Sequence, residues 1–346
     1  MTVSKFPALQ FDLPKAHRHL AYSAVGNVNS PYVLLCLPGL LETRATFDPL
    51  LQAAEGVHGL RVISLDLCGR GDSAPMPGDK GYTMQVYLED VVHFMREALM
   101  PEGQPVPHIE VLGTSMGGIL AMYLAHEDSN HIRGLFFNDI GLDLPWMSIY
   151  GLYDGMKKAG RLPTPEEMAE KFNVSIGAVQ AVHSPSHFDL PYRKDWKGMK
   201  FGHLVHGFKG PVRLMHGSDS GVCTSQQVAD LRREFPQVQV LEVAGAAHPV
   251  PFNAAVTQFV LQSLNLPAAP QVKPVSVPER EPEQLVIPLD TAVTEPPVMA
   301  PPPAPMAPMA PVVEVVPSEV VAQPVRVEKP SWLSWLKQQL LGATKK

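Results

Sequence analysis

Six short, mostly apolar runs dominate the first 265 residues and leave this chain few ways to fold. They are Tyr32–Leu37, Leu60–Leu65, His108–Leu112, Leu135–Phe137, Val212–Met215 and Val238–Val243. Each is too short for a helix and lacks the polar alternation of a strand with one wet face, so it reads as a strand covered on both sides. Stretches of helical period lie between them. In Tyr87–Leu99 the apolar residues Leu88, Val91, Val92, Met95 and Leu99 fall on one stripe. Strands alternating with helices predict a mostly parallel sheet with helices on both faces. The opening residues, through Leu20-Ala21-Tyr22-Ser23, are expected to add an antiparallel edge strand.

Charge and cysteine content exclude several classes of function. Lys and Arg number 28 against 34 Asp and Glu, a net charge of -6, whereas a nucleic-acid binder needs a concentrated basic surface. Cys36, Cys68 and Cys223 are odd in number and far apart, which suits neither a disulfide framework nor a zinc ligand set. Cys36 and Cys68 lie beside buried strands, and Cys223 is expected to be the more accessible. His183 and His187, four apart, are interrupted by Pro185 and lack a third ligand, so no metal site is expected. Residues 1–20 carry no apolar run of the kind a secretory leader needs, and no segment is long and apolar enough to cross a bilayer. The expected setting is cytoplasmic.

Residues 267–330 hold 17 of the 36 prolines. A run such as Pro301-Pro302-Pro303-Ala304-Pro305 lacks the amide donors for helix or sheet, so residues 266–330 read as a disordered, polyproline-rich linker. Ser331 then caps a short amphipathic helix, residues 331–346, with Trp332, Leu333, Leu336 and Leu340 on one stripe. Two readings stand for it: docking to an interface or protein partner, or folding back on the catalytic domain, residues 1–265.

Gly113-Thr114-Ser115-Met116-Gly117 follows one strand directly and opens a helix. In that setting a serine at the tip of a tight turn stands clear of the sheet, near the positive end of the helix. A phosphate loop would carry Lys-Ser/Thr next, and none is present. A serine hydroxyl needs a base to take its proton and a carboxylate to orient that base. Downstream, Asp219 follows the Val212–Met215 strand and His248 follows the last strand, in the order serine, acid, histidine. Both fall at strand C-terminal ends, where sites in open α/β sheets gather. Asp139, after the Leu135–Phe137 strand, is the alternative acid, and Asp219 is preferred. His216 is read as structural.

With these residues in place, the chain resembles α/β-hydrolase-fold serine hydrolases over about residues 10–265. The matching landmarks are Leu37-Pro38-Gly39-Leu40, Asp66-Leu67-Cys68-Gly69-Arg70-Gly71-Asp72-Ser73, Gly113–Gly118, Gly217-Ser218-Asp219 and Ala247-His248. The resemblance implies Ser115 as nucleophile, His248 as base and Asp219 as orienting acid. It also implies an oxyanion hole made by the backbone N–H groups of Met116 and Leu40. Many relatives carry His-Gly where this chain has Pro38-Gly39, so the side-chain support that histidine gives the Leu40 loop is missing.

The strand–helix rhythm breaks at about residues 140–206, where the family places a helical cap over the site. Leu142, Trp146 and Tyr150 crowd its start and are the candidate substrate contacts, and Pro163-Thr164-Pro165-Glu166-Glu167 signals a helix start. The implied activity is hydrolysis of a small, largely apolar carboxylic ester with no cofactor. Carbon–carbon bond hydrolysis, action on a polyester or granule, and ligand binding without catalysis remain open alternatives.

Overall fold

A computed structural model of the chain describes residues 3–77, 81–145, 164–182, 198–264 and 266. The proline-rich linker and terminal helix, and the candidate contacts Trp146 and Tyr150, lie outside the described residues, as do His183 and His187.

An eight-stranded sheet organises the catalytic unit. Its strands are β1 (Leu9–Leu13), β2 (Arg18–Val25), β3 (Tyr32–Leu37), β4 (Leu60–Leu65), β5 (His108–Thr114), β6 (Ile132–Asn138), β9 (Val212–Gly217) and β10 (Gln239–Val243). They run in the order β1-β2-β4-β3-β5-β6-β9-β10. From β4 to β10 every pairing is parallel, while β1 and β2 add on antiparallel. One expectation needs correcting: the strand through Leu20–Ser23 is second from the edge, and β1 forms the edge itself. β1 alternates polar and apolar residues and leaves most of its side chains exposed, as an edge strand can.

Period-two alternation splits the core between the faces. In β3, Val33, Leu35 and Leu37 pack with one cluster and Leu34 and Cys36 with the other. The first cluster takes its helical side from α2 (Met84–Phe94) and α3 (Met116–Glu127), through Val91, Phe94, Leu120 and Leu124. The second is covered by α1 (Asp48–Ala54) and the helix Ala254–Ser263, through Leu50, Leu51, Val256 and Val260. The helical stripe expected at Tyr87–Leu99 runs on past α2 as a π-helical turn, Met95–Leu99. One buried ion pair crosses the sheet: Arg213 on β9 donates to Glu110 on β5 at 2.6 Å across β6, where Gly134 leaves room for both side chains.

The insert after β6 begins and ends on a small ribbon. β7 (Asp143–Pro145) pairs antiparallel with β8 (Gly198–Lys200). Within the insert, α4 (Pro165–Phe172) starts on a capping box in which Thr164 and Glu167 satisfy each other's backbone amides, and α5 (Ile176–Val182) follows. Next come α6 (Gly202–Val205), α7 (Ser225–Glu234) and the helix Ala254–Ser263, here α8. Among the described residues no helix is long and apolar enough to cross a membrane.

Candidate active site

Ser115 is the single residue between β5 and α3, with φ 51° and ψ -114°. A non-glycine residue at positive φ is strained, and strain of this kind is held only where the surroundings over-determine it. Here they do. The Ser115 N–H donates to the Asn138 carbonyl at the end of β6 (3.0 Å), and its own carbonyl accepts from Gly118 and Ile119. The flanking glycines make the turn sterically feasible. A Cβ on Gly113 would sit 2.2 Å from Gly117 backbone atoms, and one on Gly117 would sit 2.1 Å from the Leu37 carbonyl oxygen.

His248 lies in the loop after β10. Its Nε2 is 2.8 Å from Ser115 Oγ and its Nδ1 is 2.8 Å from Asp139 Oδ2. The loop is tied down by Asn138, whose side-chain amide donates to the Val250 carbonyl at 2.9 Å. Asp139 is fully buried immediately past β6, in the left-handed region at φ 57°. Its backbone N–H donates to the Met215 carbonyl (2.8 Å), and its Oδ1 accepts from the Gly217 N–H (3.0 Å). β6 and β9 therefore hold the carboxylate from both backbone and side chain, leaving Oδ2 for the imidazole.

The preference for Asp219 is thus corrected. Asp219 is exposed, its Oδ1 accepts from the Ser218 hydroxyl at 2.9 Å, and its N–H donates to the Ala246 carbonyl. It braces the loops after β9 and β10 and has no bond to His248. The physical reason is side-chain direction: the buried Asp139 carboxylate is turned onto the imidazole, while Asp219 is turned outward onto Ser218.

The two expected amide donors lie on adjacent loops. β3 pairs with β5 at Leu37 and Gly113, so Leu40 and Met116 each stand three residues beyond a matched pair. Met116 is buried at the positive end of α3. Leu40 lies in a turn closed by the Glu42 N–H on the Gly39 carbonyl (3.3 Å), and its carbonyl accepts from Arg70 Nε (3.0 Å). Leu142 is buried where the insert begins, its carbonyl accepting from the Phe201 N–H.

Two further residues neighbour this cluster, His216, read from the sequence as structural, and Glu42, which sequence reasoning missed. His216 Nδ1 lies 3.7 Å from Asp139 Oδ1, on the side away from His248. Glu42 accepts the Gly39 N–H at 2.7 Å; burial pushes its carboxyl up to about 7, while that hydrogen bond and the nearby His248 pull it down. The only available signal for Glu42 was its spacing of three from Gly39. Asp139, His216 and Cys223 bring ligand atoms within 4.8 Å of one another. The Asp139 carboxylate is already engaged by Gly217 and His248, so a metal here would have to break that arrangement. Cys223 is buried rather than accessible, and burial raises its thiol pKa, as it does for Cys36 and Cys68.

Chemically, the arrangement can move a proton from the Ser115 hydroxyl to an imidazole whose orientation is fixed by a buried carboxylate.

Comparison with known proteins agrees with this architecture. The family model for the alpha/beta hydrolase fold matches residues 32–158. The 3-hydroxybutyrate-oligomer hydrolase of Cupriavidus necator is 26% identical over 272 residues, covering 69% of this chain and 90% of that protein. The mouse sn-1-specific diacylglycerol lipase ABHD11 is 26% identical over 270 residues, covering 70% of this chain and 85% of that protein. Among solved structures, an alpha/beta hydrolase from Novosphingobium aromaticivorans superimposes with a TM-score of 0.56 at 19% identity, over 75% of this chain and 98% of that one. Sheet order, the strand–serine–helix turn and these likenesses together give the chain the α/β-hydrolase fold.

Proposed function

We propose that the protein is a serine hydrolase of carboxylic esters, with Ser115 as nucleophile, His248 as general base and acid, and Asp139 as orienting carboxylate. The unbroken chain of hydrogen bonds, Ser115 to His248 to Asp139 at 2.8 Å each, carries this reading. In the first half-reaction His248 Nε2 takes the Ser115 proton while Oγ attacks the ester carbonyl. The negative oxygen that forms is met by the Met116 and Leu40 amides, and the imidazolium, steadied by Asp139, returns its proton to the departing alcohol. Water then attacks the acyl-serine with His248 again as base, releasing the acid and restoring the hydroxyl.

The relatives' names support a substrate class. One is named for 3-hydroxybutyrate oligomers and the other for diacylglycerol at sn-1, and both of those substrates are oxygen esters. A hydroxyacyl or glyceryl ester of modest size is the substrate we infer. Three buried, unpaired cysteines fit a reducing, cytoplasmic setting.

The test is fluorophosphonate labelling of the full chain beside turnover of 3-hydroxybutyrate dimers and trimers, diacylglycerol and simple acyl esters. Labelling and turnover in the wild type, both lost in Ser115→Ala, are expected. Labelling that persists in Ser115→Ala, or a wild type inert to probe and panel alike, overturns the assignment.

A further inference from the structure

The loop after β3 carries the Leu40 amide, and something must hold that loop in place. Three successive peptide groups show what does. The peptide carrying the Gly39 N–H donates to Glu42 Oε2 at 2.7 Å. The next, carrying the Gly39 carbonyl and the Leu40 N–H, accepts from the Glu42 N–H at 3.3 Å. The third, carrying the Leu40 carbonyl, accepts from the buried Arg70 through Nε at 3.0 Å. Two of the three are therefore anchored on one residue, Glu42.

The direction of the Leu40 amide follows from peptide geometry. In a trans peptide the C=O and N–H point opposite ways, so fixing the Gly39 carbonyl toward Glu42 turns the Leu40 N–H away from it. In a turn closed from residue i to i+3, the amides of the two central residues stay outside the hydrogen-bonded ring and can serve an anion. The carboxyl approaches closely there: a Cβ on Gly39 would lie 2.9 Å from Glu42 Oε2 and would push the side chain back. A Cβ on Gly117 would meet the Leu37 and Pro38 carbonyl oxygens, so the loop's entry lies against the turn that carries Ser115.

We propose that Glu42 is a positioning residue for this reaction: by accepting the Gly39 N–H, its side chain locks the Gly39–Glu42 turn so that the Leu40 amide faces the developing oxyanion. The assignment rests on the acyl-transfer reading above. Glu42 acts through the backbone and touches no reacting atom.

The test compares Glu42→Ala and Glu42→Gln in the full chain, using an ester that the wild type turns over. Glu42→Ala removes the acceptor, and kcat is expected to fall about 10- to 100-fold with KM within about threefold. That is less than the roughly 100- to 1000-fold typical for loss of a whole oxyanion donor, because the Leu40 amide is loosened rather than deleted. Glu42→Gln keeps an acceptor oxygen at the same reach and is expected to recover most of kcat. A boronic acid that forms a tetrahedral adduct on Ser115 should bind more weakly to Glu42→Ala, while the product acid binds as before. If Glu42→Ala does not fold, Glu42→Asp, one methylene short of Gly39, takes its place with the same expected loss. Wild-type kcat in the shortened variants overturns the proposal, as does equal impairment of Glu42→Gln and Glu42→Ala. A wild type that neither hydrolyses esters nor reacts with fluorophosphonate overturns the acyl-transfer reading, and this one with it.

Discussion

Asp139 and His248 are 109 residues apart in sequence and 2.8 Å apart in space, joined through Oδ2 and Nδ1. Asp139 rides on the strand beside the one that ends at Ser115, and His248 arrives from the far end of the sheet. That contact singles out Asp139, since Asp219 turns to Ser218 instead.

This separates two carboxylates by their effect on rate. Asp139→Asn keeps the shape but takes away the charge that steadies the imidazolium, and kcat is expected to fall on the order of 1,000- to 10,000-fold. Asp219→Asn should leave kcat within about threefold, since its carboxylate meets only the Ser218 hydroxyl, at the surface. Steady-state kinetics of the two variants, side by side, decide the matter.

Stability offers a second check. Gly117→Ala would press a methyl group against the Leu37 carbonyl, closer than any real contact. Backbone cannot move aside as a flexible side chain can, so the loss should exceed the roughly 1–3 kcal/mol of ordinary core overpacking. A fall in melting temperature of well over about 5 °C, or loss of soluble protein, is expected. A melting temperature equal to wild type would show that the turn is not packed as described.

Glu42 links the site to pH. Its carboxyl titrates at about 7 in the folded protein against 4.5 in a free chain, because burial disfavours the charged form. Between those values the folded state holds the extra proton, so stability falls as pH rises from 4.5 to about 7 and levels off above that. The full shift corresponds to about 3 kcal/mol as an upper figure. Glu42→Gln has no proton to lose there and should flatten this part of the profile. Melting temperatures between about pH 5 and pH 8 in the two proteins provide the measurement.

The thiols give a prediction of the opposite kind, an absence of reaction. Cys36, Cys68 and Cys223 are buried, and burial raises each thiol, Cys68 to about 12. The thiolate is the reactive form, so the native protein should be inert to a disulfide reagent at about pH 8, and all three thiols should react once it is unfolded. Rapid reaction of one native thiol would single out Cys223, whose sequence surroundings suggested exposure.

Much of this fold was legible where burial is uniform. The apolar runs at Tyr32–Leu37 and Leu60–Leu65 coincide with β3 and β4, since a strand covered on both faces has no reason to alternate. Leu9–Leu13 was illegible because an edge strand needs one buried side chain rather than a run, and only Leu13 is buried there. The strand–Ser115–helix setting was readable from local pattern. The choice between Asp139 and Asp219 was not: both follow strands, and no local pattern records which strands become neighbours. Glu42 was silent for a related reason, since its meaning comes from groups that only the folded chain brings near.

The ribbon of β7 and β8 has a consequence for how such a protein can diversify. Chain departs for the insert at Pro145 and comes back at Gly198, and those two residues are themselves partners in the ladder. Between them the chain is fastened a second time: Val174 bridges Arg70, and the Ser175 N–H donates to the Gly69 carbonyl at 2.7 Å. An insert taken from a relative would therefore have to match the Gly69–Gly71 loop as well as the ladder at its base.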